Sequence, residues 1–404
     1  SNNNASNGNY FAEARTATVT ITEHNFDADR VVFKQSASLN GSNIAIPAVS
    51  WSDRGDVHTA TIVYSADGDY TFDVTMTDMA GNESGEAYYG NSVAGKDFVI
   101  DQTIEKPVIS GVENGKAYTG DVIPAISFND VNYASYEVTL LRTRMGNKNE
   151  DVTEEFIKSV SEQAQGGSGT YDSFEKIVEN DGIYTLIVKM TDKAGNEGVE
   201  EITFTVNRFG SVYVYSDYLI SLIKDGGQYI TISGDNQAAI TDDLVITEYN
   251  ADRLLANSLK ILVTRDGEAL DAEYTVNPGD MNTEVTTGES GWYEYVYSIK
   301  AANFAEDGVY KISLTSAYGA EDSEKNESTS VPENSIDENG NAVLDTMKFT
   351  VDTTAPEIRN IVNLDARIPD VDKIVDNRLK VSYTVVDVGG LKSVEILING
   401  EVYE

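Results

Sequence analysis

A phrase made of Asp-Gly, one variable position, Tyr and an alternating apolar run occurs three times, and it limits the fold more than any other feature. It reads DGDYTFDV from Asp67, DGIYTLIV from Asp181 and DGVYKISL from Asp307. Self-similarity of this kind means that one supersecondary unit is used repeatedly. Two copies run on into the same turn, TDMAGNES from Thr77 and TDKAGNEG from Thr191. The third degenerates to TSAYGAEDSEKNES from Thr315. Each then leads to a short strand: FVID from Phe98, FTVN from Phe204 and FTVD from Phe349. Two of these strands are followed by a joint with Thr and Pro, DQTIEKPVI from Asp101 and DTTAPEI from Asp352. The other passes into NRFGSVYVY from Asn207.

A second phrase precedes the first. It reads TVTITEHNF from Thr18, AISFNDVNY from Ala125 and DLVITEYN from Asp243, and a fourth relative, VSYTVVDVGGLKSVEILING, starts at Val381. Aligned, these share an acidic position (Glu23, Asp130, Glu248, Asp387) and an Asn position (Asn25, Asn132, Asn250). The expected division is 1–102, 103–207, an enlarged and divergent 208–352, and a partial unit 353–404. Both ends of the chain are expected to be cuts inside a longer array.

The strong segments alternate with period two. Ala17, Val19 and Ile21 share one face, as do Tyr70, Phe72, Val74 and Met76, and Val381, Tyr383 and Val385. Val, Ile, Thr and Tyr dominate them, and Gly, Asn and Asp turns bound them, which reads as half-buried antiparallel strands. Helical periodicity is nearly absent. One short helix is expected in EEFIKSVSEQ from Glu154, followed by a flexible loop AQGGSGT. Short strands at intervals of ~8–12 residues in units of ~100 residues make an all-β chain of antiparallel sandwiches.

Sandwiches of the immunoglobulin type keep a Tyr at the start of strand F whose hydroxyl ties down the preceding corner. Tyr70, Tyr184 and Tyr310 stand in that place, with Phe72, Leu186 and Ile312 where the inward Cys of such domains would be. Val19/Ile21, Ile126/Phe128 and Leu244/Ile246 would face them from strand B. The combination DGxYxFxVxxTDxAGN, then FxVDxTxPxI, resembles the bacterial immunoglobulin-like domains strung along surface proteins of Gram-positive bacteria. The resemblance covers nearly the whole chain. It implies tandem immunoglobulin-like β-sandwiches in an elongated array and an extracellular location, cell-wall attached or secreted. Such domains serve as stalks, spacers, adhesin modules or accessory regions of secreted enzymes.

Composition excludes several functions. Against 67 Asp plus Glu stand 29 Lys plus Arg, a net charge of 29 − 67 = −38, which argues against binding nucleic acid. With no Cys there is no disulfide framework, thiolate metal site or Cys nucleophile. The 2 His, His24 and His58, leave little for a zinc site and are expected at surfaces or corners. No run of apolar residues approaches a membrane span, and the opening SNNNASNGNYF has no signal-peptide pattern. No GxSxG, HExxH, P-loop or dinucleotide fingerprint occurs, so no enzyme is expected.

Three site readings remain. The TDxAGN turn reads first as an Asx-type hairpin turn. Its alternative is a Ca²⁺ site in which Asp78 and Asp192 share ligands with the joint residues Asp101 and Asp352, because calcium takes 6–8 oxygens. The acidic position after strand B reads as a corner-capping carboxylate, since a catalytic acid is not needed in every unit. Rows of aromatics, Trp292 and Tyr293 on one strand and Tyr213 and Tyr215 on another, would stack on sugars or a partner protein if exposed. Trp51 fits either core or loop. A Lys–Asn isopeptide bond is disfavoured, because Lys recurs at no repeat position.

The leading expectation is a non-catalytic, monomeric stalk, spacer or adhesin segment. The alternative is a carbohydrate- or host-ligand-binding accessory module, recognising a host or cell-surface glycan or protein. The insertion AEDSEKNESTSVPENSIDENGNAV from Ala320 would be the place where binding is added.

Overall fold

The computed structural model describes residues 5–84, 97–224, 229–231, 240–279, 287–319, 326–362, 374–375, 378–379, 382–387, 390–398 and 400–403. The chain is all-β, built as a row of two-sheet sandwiches, and the strand letters A to G follow the immunoglobulin convention.

Unit 2 shows the pattern most fully. One sheet runs A (Val108–Ser110), B (Ala125–Asn129), E (Gly166–Tyr171), D (Ile157–Gln163). The facing sheet runs A′ (Ala117–Tyr118), G (Glu197–Val206), F (Gly182–Asp192), C (Tyr133–Arg144), C′ (Asn147–Asp151). A′ is parallel to G and every other pair is antiparallel. This A-B-E-D against A′-G-F-C-C′ order is the immunoglobulin-like topology. Unit 1 repeats it with B (Arg15–Thr22), E (Val57–Tyr64) and D (Val49–Arg54) against A′ (Tyr10–Phe11), G (Asp97–Ile100), F (Gly68–Met76) and C (Val31–Leu39).

Unit 3 has A (Val212–Tyr215), B (Leu244–Asn250), E (Tyr293–Ile299) and D (Tyr274–Asn277) facing A′ (Tyr229–Thr231), G (Lys348–Asp352), F (Gly308–Tyr318) and C (Lys260–Arg265). Its F–G connection adds two strands, one on each sheet. Asn326–Thr329 pairs with F, and Ser335–Asp337 lies parallel to A. In unit 4 a strand A (Glu357–Val362) pairs with a strand B (Ser382–Val386).

Each of the first three units has its own apolar core, and each core contains the F-strand Tyr and the G-strand Phe. These rings stack in the same way three times: Tyr70 on Phe98 at 5.3 Å, Tyr184 on Phe204 at 5.5 Å and Tyr310 on Phe349 at 5.7 Å between centroids. Phe72, Leu186 and Ile312 are buried at the position of the absent Cys. Apolar packing across the two sheets therefore does the work of a disulfide.

Two local expectations are corrected. The helix expected from Glu154 is a single turn, Thr153–Phe156, after which the chain becomes strand D. The supposed loop AQGGSGT supplies strand E, an inner strand of its sheet. Its glycines are required by packing: a Cβ on Gly167 would lie 2.8 Å from both the Phe128 ring and the Ser161 carbonyl oxygen. A seven-residue helix that the pattern did not announce, Asp217–Ile223, follows strand A of unit 3 and is N-capped by Ser216. Val381 lies outside the described residues.

Candidate functional site: the joints between units

The joint begins at the F-strand corner. The Tyr70 hydroxyl donates to the Ala66 carbonyl at 2.9 Å, Tyr184 to Asn180 at 2.8 Å and Tyr310 to Glu306 at 2.7 Å. The same four-residue step holds in all three units, as the corner geometry requires. It fixes the loop that carries the Asp of the Asp-Gly pair.

That Asp reaches across to the first residues after strand G. Asp67 accepts from the Gln102 N–H at 3.0 Å and from its side-chain amide at 2.9 Å. Asp181 accepts from the N–H groups of Arg208 and Phe209, both at 2.7 Å. Asp307 accepts from the Thr353 N–H at 2.7 Å and from the Thr353 and Thr354 hydroxyls. One carboxylate per unit thus clamps the start of each linker. The sequence announced it only as half of a turn. Its constant place three residues before the corner Tyr was the available signal.

The residue that follows strand G in units 1 and 2, and that ends it in unit 3, makes the second tie. Asp101 Oδ2 accepts from the Asn132 amide at 2.7 Å, and the Asp101 carbonyl accepts from the Asn196 amide at 2.7 Å. At the next joint the Asn207 amide donates to Asn250 at 2.8 Å and to Asp252 at 2.9 Å. At the third, Asp352 lies beside Asp387. The shared Asn position of the second phrase is therefore a grip on the preceding unit in units 2 and 3.

Of the four acids considered for calcium, the structure brings Asp101 and Asp192 together and adds Asp130; each offers an oxygen within 4.8 Å of the others. Burial raises the Asp101 and Asp130 carboxyls above the usual range, and neighbouring carboxylates add to this. A cleft of about 350 Å³ opens beside them, with Asp67 and Glu105 also on its wall. Such a lining suits a cation and repels anions. The trio provides three of the 6–8 oxygens that calcium takes, and the amides of Asn132 and Asn196 already donate to Asp101 and Asp192. Asp78 and Asp352 lie elsewhere, at the far end of unit 1 and at the third joint.

The TDxAGN turn is a closed ring. Asp78 accepts from the Asn82 N–H and amide, both at 2.7 Å; Asp192 accepts from the Asn196 N–H at 2.9 Å and amide at 2.7 Å. Gly81 and Gly195 take φ of 91° and 90°, the left-handed region that glycine tolerates. The insertion holds a third such ring in DENGN, where Asp337 accepts from Asn341 at 2.8 and 2.9 Å. These donors hold the Asp78 and Asp337 carboxyls below the usual range, the Asn side chains contributing most.

The second joint has a further layer. The Trp292 indole N–H donates to the Thr143 carbonyl at 3.1 Å, Gly146 N–H to Ser290 at 2.8 Å, and Lys148 Nζ to Gly288 at 2.7 Å. The C–C′ hairpin of unit 2 thereby docks on the loop before strand E of unit 3. Arg208 also donates to the Phe174 and Glu175 carbonyls at 2.8 and 2.7 Å.

The aromatic rows are core rather than surface. Tyr213 and Tyr215 are buried, because their row on strand A faces the opposite sheet across the unit 3 core. Trp292 is buried at the second joint. Tyr293 is half-buried, its ring 5.4 Å from the Arg253 guanidinium. Trp51 packs against the unit 1 core. His58 is buried at the corner after strand B, between Asp53 at 2.7 Å and the Glu23 carbonyl at 3.0 Å, and Asp53 chiefly raises its pKa. His24 is exposed beside Asp56.

Corner capping describes Glu23 and Asp130, which accept the N–H of Asn25 at 2.9 Å and of Asn132 at 2.7 Å. It does not describe Glu248. Strand B of unit 3 runs on to Asn250, so Glu248 points inward and is fully buried. It accepts hydroxyl hydrogen bonds from Ser211 and Ser316, both at 2.5 Å, and Tyr297 at 2.6 Å. Burial raises its pKa, against the pull of those donors. Of the insertion, residues 320–325 lie outside the described residues. The described remainder supplies framework, with Ser328, Ser330, Ser335 and Val343 buried.

No protein-family model matches the chain, and no curated protein does. Among solved structures it is similar to the three-domain ectodomain of mouse nectin-like molecule 4, at 14% identity and TM-score 0.35 over 83% of this chain and 98% of that one. It is also similar to a tetra-tandem repeat in the extending region of a large adhesion protein, at 12% identity and TM-score 0.33 over 95% and 86%. A Dpr2 complex with DIP-Theta immunoglobulin domains is similar at 8% identity and TM-score 0.32 over 79% and 93%. The fold assignment rests on the strand order described above. No helix of the described residues is long and apolar enough to cross a membrane.

Proposed function

We propose that this chain is a non-catalytic spacer or adhesin-type segment of an extracellular bacterial surface protein, holding whatever it carries at a set distance. The observation that supports this is the repeated clamp. Asp67, Asp181 and Asp307 each bind the backbone of the linker that leaves their own unit. A chain that needed freely swinging domains would have no use for the same restraint three times, and a flexible Gly/Ser linker would serve it better. The resemblance to Gram-positive surface repeats and the acidic, mutually repelling units point the same way.

Small-angle X-ray scattering of the chain tests it. The expected pair-distance distribution is that of an extended rod. Replacing Asp67, Asp181 and Asp307 together by Ala is expected to broaden that distribution. A compact profile for the parent chain would sink the spacer reading.

A further inference from the structure

Strands A, B and E of unit 3 read as nearly continuous apolar and aromatic runs: VYVY from Val212, LVIT from Leu244 and YVYSI from Tyr295. That pattern belongs to a sheet covered on both faces, whereas a sheet with one wet face alternates. The inner row is accounted for. Tyr213, Tyr215, Leu244, Ile246, Tyr295 and Tyr297 fill the unit 3 core. The outer row is not. Ile336, Val214, Thr247 and Val296 stand side by side across four strands, with Val245 on one side of that row and Val212 and Tyr249 on the other. All are half-buried, and none is part of the unit 3 core.

Units 1 and 2 show that this face need not be apolar. Ladder rows on the same outer face read Thr18, Thr61, Ser50 in unit 1 and Ser127, Ser168, Ser161 in unit 2. Three residues before the shared acidic position, where units 1 and 2 have Thr20 and Ser127, unit 3 has Val245. Thr and Val suit a strand equally, so strand propensity does not account for the exchange. Charge is also withheld. Glu294 is the one charged residue among the described outward positions of this sheet, while the opposite sheet of the same unit turns Lys260, Lys311 and Lys348 outward.

We propose that this outer face of unit 3 is a self-docking surface, and that its occupant is the same face of a second copy of the chain. This goes beyond the spacer reading and does not rest on it, and it departs from the monomer expected from the sequence. Two chains of charge −38 repel wherever acid meets acid, so contact between copies is confined to faces that lack it. A two-fold axis lying in the plane of the face and across its strands sets Val214 and Val296 of one copy against those of the other. The lysine-bearing sheet of each copy then stays outside. Two sheets packed in this way cross at about 30° and interdigitate their side chains, as the sheets within a sandwich do. Five strands about 4.8 Å apart and three rows about 6.7 Å apart give about 500 Å² per copy. The pair buries about 1,000 Å², the low end for a specific interface, so it forms weakly and reversibly.

Sedimentation equilibrium of the full chain, from micromolar to millimolar concentration at low and high salt, tests this. A reversible monomer–dimer equilibrium is expected, and salt is expected to tighten it, because screening relieves the repulsion between two acidic chains. The double substitution Val214→Thr and Val296→Thr gives unit 3 the hydroxyl face of units 1 and 2 and keeps β-branched side chains; the unit 3 melting transition checks its fold. It is expected to weaken dimerisation by about tenfold or more, since four methyl groups leave the apolar contact. Val245→Thr, which restores the residue that unit 1 has at that position, is the milder second variant, with an expected loss of about threefold. Leu262→Thr replaces an exposed apolar residue on the opposite sheet and is expected to leave dimerisation unchanged. A chain that stays monomeric at every concentration and salt would overturn the inference and mean that a different partner covers the face. Dimerisation that survives both the double and the single substitution would overturn it equally, by placing the contact elsewhere.

Discussion

At the scale of single residues, the corner Tyr and the clamp Asp differ in how visible they are. Tyr70, Tyr184 and Tyr310 could be assigned a hydroxyl contact in advance, because position in a known corner dictates the partner. Asp67, Asp181 and Asp307 could not, because a carboxylate before Gly is ordinary turn chemistry and its real partners lie 27 to 47 residues away. Glu248 shows the opposite failure. It aligns with Glu23 and Asp130, yet strand B in unit 3 runs three residues further, to Asn250, and turns the same position inward. The corner contact can be measured. Tyr184 is fully buried and its hydroxyl meets the buried carbonyl of Asn180. Tyr184→Phe leaves that carbonyl without its partner and is expected to cost unit 2 about 1–3 kcal/mol in denaturant unfolding. A change below a few tenths would show that the corner is held by ring stacking alone.

At the scale of elements, alternation identified the strands B, F and G because their inward rows are large and apolar. It missed strand E of unit 2 because GGSGT offers no apolar row to read. That strand exists because its neighbours demand it. Phe128 projects over the Gly167 position, and strands B and D supply the hydrogen-bond ladder on either side. Composition there reports a close approach of backbone and ring rather than flexibility. Gly167→Ala forces a methyl group against the Phe128 ring and the Ser161 carbonyl, and overpacking of this kind costs about 1–3 kcal/mol. A lowered melting temperature for unit 2 with unchanged transitions elsewhere is the expected calorimetric result. An unaffected unit 2 would mean that the segment is as loose as its composition implied. The described part of the unit 3 insertion carries framework that its polar composition did not announce: Ser328 ties strand A to the opposite sheet, and Ser335 bonds Tyr215 within its own sheet.

At the scale of the whole molecule, acidity is arranged as well as abundant. Within a net charge of −38, several buried or half-buried carboxyls lie where units meet. Asp101 and Asp130 at the first joint, Asp181 and Asp252 at the second and Asp352 at the third all have carboxyls raised above the usual range, in each case first by burial. Glu248 behaves likewise inside unit 3. Asp78 and Asp337 are lowered by their Asn donors, and Asp307 is lowered by Thr353 and Thr354 in spite of its burial. A raised folded-state value means that the folded chain holds the proton more tightly. That stabilisation is complete below the unfolded value of about 4 and is lost as pH rises through the folded value. A lowered value contributes stability above about 4 that is lost as pH falls through the folded value. The raised groups therefore dominate between neutral pH and about 5, and weaker self-repulsion at lower charge acts in the same direction. Calorimetric scans are expected to show melting temperatures rising as pH falls from 7 to about 5 and turning over below about 4. Glu248→Gln removes one raised group while keeping the shape, so the unit 3 transition should lose part of its pH slope and units 1 and 2 should keep theirs. Stability that falls steadily from pH 7 to pH 5 would show that the buried carboxylates are held ionised by their donors, and that the joints are closed by hydrogen bonds to charge rather than by shared protons.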